Sequence, residues 1–261
     1  MTMTRRNPSE PLLNYWTRGP ADGETVVFLH AVGIDASMWE TFLPFMPAIR
    51  AVFIDLPGHG GSRDIPWASL EDTATRVADV VNSLRGEGDR RDVHLVAISL
   101  GSYVGLTMLA RHTEMFKTAF LSGMHAGGMK NRWLMRIMSF FMAPLAVRPF
   151  FARRTAAMFG VGADDVDAFV AGAVKTRSSA FRRATNDVVA FELPAGVGQI
   201  RTKTLFVAGS KEHKLIVDAL GILADALPNA RALTIDGGGH GWPGAMPDAF
   251  ARHVLEWAAG D

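Results

Sequence analysis

The chain has 261 residues, 48% of them apolar, with 27 basic against 26 acidic side chains and a formal net charge of +1. That length suits one large α/β domain, and a nearly balanced charge offers no long-range field for nucleic acid or an anionic membrane. The chain contains no cysteine, which excludes disulfides, thiolate nucleophiles and cysteine-bound metals together.

In chain order, Met1–Glu10 places Arg5 and Arg6 ahead of no apolar core. A secretory leader needs such a core, so a cytoplasmic location is expected. A strand near Leu12–Arg18 is expected at a sheet edge, followed by Thr25–Leu29 and Ala51–Asp55, both short and β-rich. Ser69–Arg85 reads as a helix capped by Ser69, with Leu70, Ala74, Val77, Val81 and Leu84 on one apolar face. Further strands are predicted at Val93–Ile98, Thr118–Ser122, Thr204–Ala208 and Ala232–Ile235, and Met246–Ala259 closes the chain as an amphipathic helix. Strands alternating with helices predict a mostly parallel sheet covered on both faces. The alternation breaks once. Residues 125–195 contain no convincing strand and read as several helices, a lid inserted into a core formed by 1–124 and 196–261. No window approaches 18 uncharged apolar residues, so no membrane span is expected.

Ligand sites in such sheets lie beyond the carboxyl ends of the strands, and the chemically useful residues all fall there. Ala97-Ile98-Ser99-Leu100-Gly101 puts Ser99 at a sharp strand-to-helix turn, where small neighbours let the backbone pass closely and leave the hydroxyl free to attack. Glu212 follows the strand Thr204–Ala208, and His240 follows Ala232–Ile235 through Gly237-Gly238-Gly239. The order Ser99, Glu212, His240 is nucleophile, acid, base. Asp236 and Asp55 are rivals for the acid, although Asp55 is better placed to brace the turn behind it. His30 and His59 are expected to donate to loop carbonyls. His213 is unassigned. No glycine-rich loop carries the lysine or the spacing of a nucleotide site, and no His, Asp or Glu cluster has metal-ligand spacing.

With that order the chain resembles the α/β-hydrolase family over nearly its whole length. His30-Ala31-Val32-Gly33 is similar to the family's His-Gly-x-Gly loop, and Asp55-Leu56-Pro57-Gly58-His59-Gly60-Gly61-Ser62 to its Asp-x-Pro-Gly-His-Gly-x-Ser turn. Gly209-Ser210-Lys211-Glu212 resembles the acid segment with Glu in place of Asp, and Gly239-His240-Gly241-Trp242 the histidine loop. Ala97 and Ala31 stand where glycine is usual. The resemblance implies a cofactor-free serine hydrolase acting on a carboxylic ester. The backbone N–H groups of Val32 and Leu100 are its candidate oxyanion donors. Carbon–carbon bond hydrolysis of a ring-fission diketone and lactone or amide hydrolysis are alternatives. A catalytically silent ligand receptor is another, though the Ser/His pair argues against it. Dehalogenation expects a carboxylate at position 99.

The inserted segment is the guide to substrate. Trp133–Met142 is rich in aromatic residues and methionine, and His125–Pro194 carries ten basic against five acidic residues. These features point to a partly apolar substrate, an anionic one, or a lipid surface. The expected substrate-pocket residues are His30, His125, Trp133, Met138, Phe141 and Trp242. The expected partner is a small-molecule ester, with the chain acting as a monomer or homodimer.

Overall fold

The computed structural model describes residues 11–84, 92–158 and 161–260. Arg85, the expected end of the first helix, and the leader reading of Met1–Glu10 lie outside them. In chain order the elements are β1 (Tyr15–Arg18), β2 (Thr25–Leu29), a 3₁₀ helix (Ala36–Phe45), β3 (Arg50–Ile54), α1 (Leu70–Leu84), β4 (Val93–Ile98), α2 (Leu100–Arg111) and β5 (Thr118–Ser122). Then follow α3 (Arg132–Ala146), α4 (Pro149–Met158), α5 (Val166–Lys175), α6 (Ser178–Ala190), β6 (Lys203–Gly209), α7 (Lys214–Ala226), β7 (Ala230–Ile235), α8 (Trp242–Ala245) and α9 (Pro247–Ala259).

Among the described residues, seven strands form one sheet in the order β1-β3-β2-β4-β5-β6-β7. Only the edge strand β1 runs antiparallel, pairing Tyr15 with Ile54; every other pair is parallel. The central strands are buried on both faces, so they read as continuous apolar runs rather than alternating ones. Period-two geometry nevertheless divides their side chains. Val27 and Leu29 join Leu95, Ala97 and Tyr103 in one core cluster, whereas Val26 and Phe28 join Phe53, Val96 and Phe120 in another. Burying each such side chain is worth about 1.5–3 kcal/mol, so a one-residue slip would exchange the two cores at large cost.

Helix boundaries follow local chemistry. Ser69 Oγ accepts from the Asp72 amide at 3.2 Å and starts α1, while Gly260, at φ 101°, stops α9. All four helices α3–α6 fall between β5 and β6, and α3 packs on α6 while α4 packs on α5. No single helix among the described residues is long and apolar enough to cross a membrane. The pair α3–α4 has the length and composition but is bent by 107°.

Candidate active site

Ser99 leaves β4 with φ 52° and ψ −120°, a conformation costly for a residue with a side chain. The surroundings enforce it. The Ser99 amide donates to Ser122 O at 2.8 Å, and the Gly101 amide donates to His30 O at 3.1 Å. Position 101 must be glycine, because a Cβ there would sit 2.4 Å from Leu29 O. Ser99 remains partly exposed at the mouth of the turn.

Glu212 stands three residues beyond β6, its side chain fully buried. Its Oε1 accepts from the Gly209 amide at 3.0 Å, which fixes the longer side chain and leaves Oε2 to face His240 Nδ1 at 2.7 Å. Because Nδ1–H points at a carboxylate, Nε2 is the unprotonated nitrogen, and it lies 3.1 Å from Ser99 Oγ. Gly123 ends β5 directly beneath the ring, where a Cβ would stand 2.8 Å from His240 Cε1. Three strand ends thus deliver a hydroxyl, an imidazole and a carboxylate in hydrogen-bonded sequence. Among the described residues, the Val32 and Leu100 amides donate to no other group, so both are uncommitted donors flanking the serine turn.

The loop carrying Val32 is held by two buried histidines. His30 Nδ1–H donates to Ala31 O at 2.8 Å and its Nε2 accepts from the Leu56 amide at 2.9 Å. His59 Nδ1–H donates to Pro57 O at 2.9 Å and its Nε2 accepts from the Gly33 amide at 3.2 Å. Both rings must be neutral to accept. Burial lowers the pKa of each, and it brings His59 to about 3, with the neighbouring His30 adding to the depression. Asp55 braces the same region, accepting from the Ala36 and Gly61 amides and from Asn14 Nδ2 at 2.7–2.9 Å. Asp236 is exposed and reaches only Ser210 Oγ, at 3.5 Å. Among the described residues, the carboxylate hydrogen-bonded to His240 is that of Glu212. His213 caps α7, its Nδ1 accepting from the Leu215 amide at 3.2 Å.

A cavity of about 340 Å³ opens against His240, Ala31, Val32 and Ile98, and borders neither Ser99 nor Glu212. Its far walls are Met38 and Phe42 of the 3₁₀ helix and Ala168, Phe169 and Gly172 of α5. Asp35, Glu40 and Asp165 also border it, but each is tied elsewhere. Lys175 Nζ lies 3.2 Å from Asp35, Trp16 Nε1 donates to Glu40 at 2.8 Å, and Thr41 Oγ1 donates to Asp165 at 3.3 Å. Burial opposes charge on Asp35, but the hydrogen bond from Ser37 and the Lys175 ammonium outweigh it and hold its carboxyl below the usual range. A second, larger cavity of about 740 Å³ between α1, α2 and α6 borders none of Ser99, Glu212 or His240.

The family model of the alpha/beta hydrolase family matches residues 26–253, nearly the whole chain. The chain belongs to the alpha/beta hydrolase family. A pimeloyl-[acyl-carrier protein] methyl ester esterase of Methylococcus capsulatus is 36% identical over 85 residues, 32% of this chain and 30% of that protein. A 2-succinyl-6-hydroxy-2,4-cyclohexadiene-1-carboxylate synthase of Klebsiella pneumoniae is 29% identical over 105 residues, 39% of each chain. In both cases the matched stretch spans less than half the length of the curated relative. Among solved structures, an esterase of Exiguobacterium antarcticum superposes with a TM-score of 0.78 at 17% identity, covering 94% of this chain and 96% of that one. At that identity the likeness concerns the fold alone.

In this alpha/beta hydrolase the six side chains expected to line the substrate pocket do not border the cavity at His240. His30 is fully buried in its loop. Trp242 is fully buried, its Nε1 donating to Ser122 Oγ at 2.9 Å, so it anchors the histidine loop to the sheet. His125 Nε2–H donates to Val188 O at 3.0 Å, which ties the start of the insertion to α6. Trp133, Met138 and Phe141 point to the outside of α3 and are more than half exposed. The basic residues of the insertion also stay out of the cavity, which is bordered by no Lys or Arg. The residues that sequence reasoning missed are those of the 3₁₀ helix and α5. Asp35 as a cap ahead of Met38 and Phe42 was the available signal, since Asp35 Oδ1 accepts from the Ser37 amide at 3.2 Å.

Proposed function

We propose that this chain is a cofactor-free serine hydrolase that cleaves a carboxylic ester with an apolar acyl portion. The observation that carries the reading is the hydrogen-bonded run Glu212 Oε2 to His240 Nδ1 at 2.7 Å and His240 Nε2 to Ser99 Oγ at 3.1 Å. Ser99 Oγ attacks the ester carbonyl carbon while His240 Nε2 takes its proton. Glu212 holds the required tautomer and stabilises the imidazolium. The tetrahedral oxyanion is received by the Val32 and Leu100 amides, which are main-chain groups and tolerate the departures at Ala31 and Ala97. His240 returns the proton to the leaving alkoxide, and an acyl group remains on Ser99. Water, deprotonated by the same histidine, then releases the carboxylic acid and restores the serine.

The cavity against His240 supports the apolar acyl portion. Ligand sites run from roughly 300 to 1,000 Å³, so about 340 Å³ favours a medium-chain or aryl group over a long chain. The methyl ester esterase among the relatives is in keeping with an ester bond. A serine at position 99 speaks against dehalogenation. In this reading residues 125–195 act as a lid, with α5 supplying one wall of the cavity that His240 borders.

A reactive fluorophosphonate, together with a panel of nitrophenyl esters of graded chain length and a vinylogous diketone, tests the proposal. The probe is expected on Ser99, with medium-chain esters turned over and the diketone untouched. Turnover of the diketone alone would replace the ester by a carbon–carbon bond. No label and no turnover would leave a ligand receptor.

A further inference from the structure

Helix α3 is built inside out. Its two buried residues are the small Ser139 and Ala143, and Ser139 Oγ donates to Asn186 Oδ1 of α6 at 2.8 Å. The large apolar side chains point the other way. Trp133 is 66% exposed, Phe140 58%, Phe141 67% and, at the start of α4, Phe150 65%; Ile137 and Met138 lie between them, about half exposed. Scattered exposed apolar residues are ordinary, but Trp133, Ile137, Phe140 and Phe141 recur at helical spacing on one side of α3, and such a face marks an interaction surface.

Charge identifies the occupant. From Lys130 to Met158 the chain carries six basic residues, Lys130, Arg132, Arg136, Arg148, Arg153 and Arg154, and no acidic one. Arg132 is paired with Glu192 and Arg153 with Asp167, whereas Arg148 and Arg154 have no ion-pair partner among the described residues. Arg182 stacks over Phe140 at 5.5 Å and brings one more cation into the apolar face. A second copy of the chain meeting this face about a twofold axis would set the cationic rims against each other. An acidic lipid surface meets both features at once, the aromatic side chains entering the headgroup boundary and the arginines meeting phosphates. The bend of 107° between α3 and α4 keeps the pair from forming one straight span and suits two short segments lying in a membrane plane.

We infer that the outer face of α3–α4 docks the protein on anionic phospholipid bilayers. The docking rests on this surface alone and not on the serine chemistry proposed above. Its test is co-sedimentation with vesicles of equal parts phosphatidylcholine and phosphatidylglycerol, beside vesicles of phosphatidylcholine only. The protein is expected to sediment with the mixed vesicles, less so in high salt, and to blue-shift its tryptophan emission. Trp133→Phe is expected to remove most of that shift while sedimentation persists. Phe140→Asp with Phe150→Asp is expected to abolish sedimentation, and Arg148→Ala with Arg154→Ala to weaken it about 30-fold, roughly fivefold for each basic residue. The substitutions at Phe140, Phe150, Arg148 and Arg154 leave hydrolysis of a short soluble ester unchanged, and Ser99→Ala sediments like the parent, so docking and catalysis fail separately. No sedimentation with mixed vesicles, or equal binding to both kinds, overturns the inference. So does a lipid-free dimer in sedimentation velocity that Phe140→Asp with Phe150→Asp dissociates, which would assign the face to a second copy.

Discussion

The carboxyl edge of the sheet and the outer face of α3 treat their side chains in opposite ways. Around Ser99 each imidazole and carboxylate is held from two sides: Glu212 by the Gly209 amide and His240, Asp55 by the Ala36 and Gly61 amides and Asn14. On α3, Trp133, Ile137 and Phe141 are exposed and their large side chains face away from α6. Where neighbours dictate a side chain's position, its residue type follows from the fold. Where they do not, residue type reports on something outside the folded chain. The edge of the sheet is specified for precise placement, the face of α3 for contact.

The hardest blow to the first half of that contrast is Ser99→Ala. It is expected to lower turnover of the favoured ester by roughly 10⁴- to 10⁶-fold with the melting temperature nearly unchanged. Full activity in that variant ends the serine reading. Glu212→Gln comes next, with a loss of about 10²- to 10⁴-fold, because His240 loses its anion and can adopt the wrong tautomer. Asp236→Asn is expected to leave turnover close to the parent. Asp55→Asn is expected to lower the melting temperature more than it lowers turnover. If Asp236→Asn proves the more damaging, the acid is misplaced.

Acid stability sharpens the same contrast. His30 and His59 are neutral in the fold with pKa values depressed below the ordinary 6.5 by burial, His59 to about 3. The unfolded chain therefore binds more protons, and stability is expected to fall as pH drops from about 6.5 towards 3. The slope contributed by His59 is about 1.4 kcal/mol per pH unit within that window, and His30 adds to it in the same direction. Urea midpoints across that window measure it, and His59→Asn should flatten the slope even where it lowers stability overall. A midpoint independent of pH would mean that the rings are not buried as described.

Smaller effects are expected at the cavity wall and on the outer face. Each substrate methylene buried against Phe42 and Phe169 is worth about 0.8 kcal/mol, or roughly fourfold in kcat/KM. Phe169→Trp should shorten the preferred acyl chain, read from the ester series, and an unchanged profile would remove α5 from the pocket. Smallest of all, Ile137→Gln is expected to change unfolding free energy by no more than about 0.5 kcal/mol. A larger loss in chemical denaturation would show that the outer face of α3 is packed after all.

The same difference explains what could be read from sequence. Strands β2, β4 and β5 match their predicted bounds because each is a short β-rich run buried on both faces and closed by a turn. The bounds of β3 and β6 moved by one residue although both strands are buried, and the larger shift falls where exposure blurs the pattern. Strand β7 begins at Ala230 rather than Ala232 because Ala230–Thr234 is largely exposed and carries little apolar signal. Ser99, Glu212 and His240 stood out because each falls just beyond a strand end, and the structure brings the three into one hydrogen-bonded run. The pocket did not. The rule that apolar residues face inward assigned Trp133, Met138 and Phe141 to it, and α3 breaks that rule by turning Ser139 and Ala143 inward. The wall came instead from a 3₁₀ helix with Pro44 inside it and from α5, whose contribution includes glycine and alanine.

The separation of the site along the chain has a consequence for how the molecule is made. His240 meets Ser99 across 141 residues and Glu212 across 28, so the hydroxyl and the imidazole meet only when β4 through β7 have all taken their places. Closing such a loop costs entropy before any contact offsets it, and non-local pairings of this kind are slow to form. A ribosome-bound chain that has emerged only as far as β6 lacks His240 altogether. Recovery of hydrolysis after denaturation would therefore report the last assembled contacts of the whole sheet and not the return of helix or of local collapse.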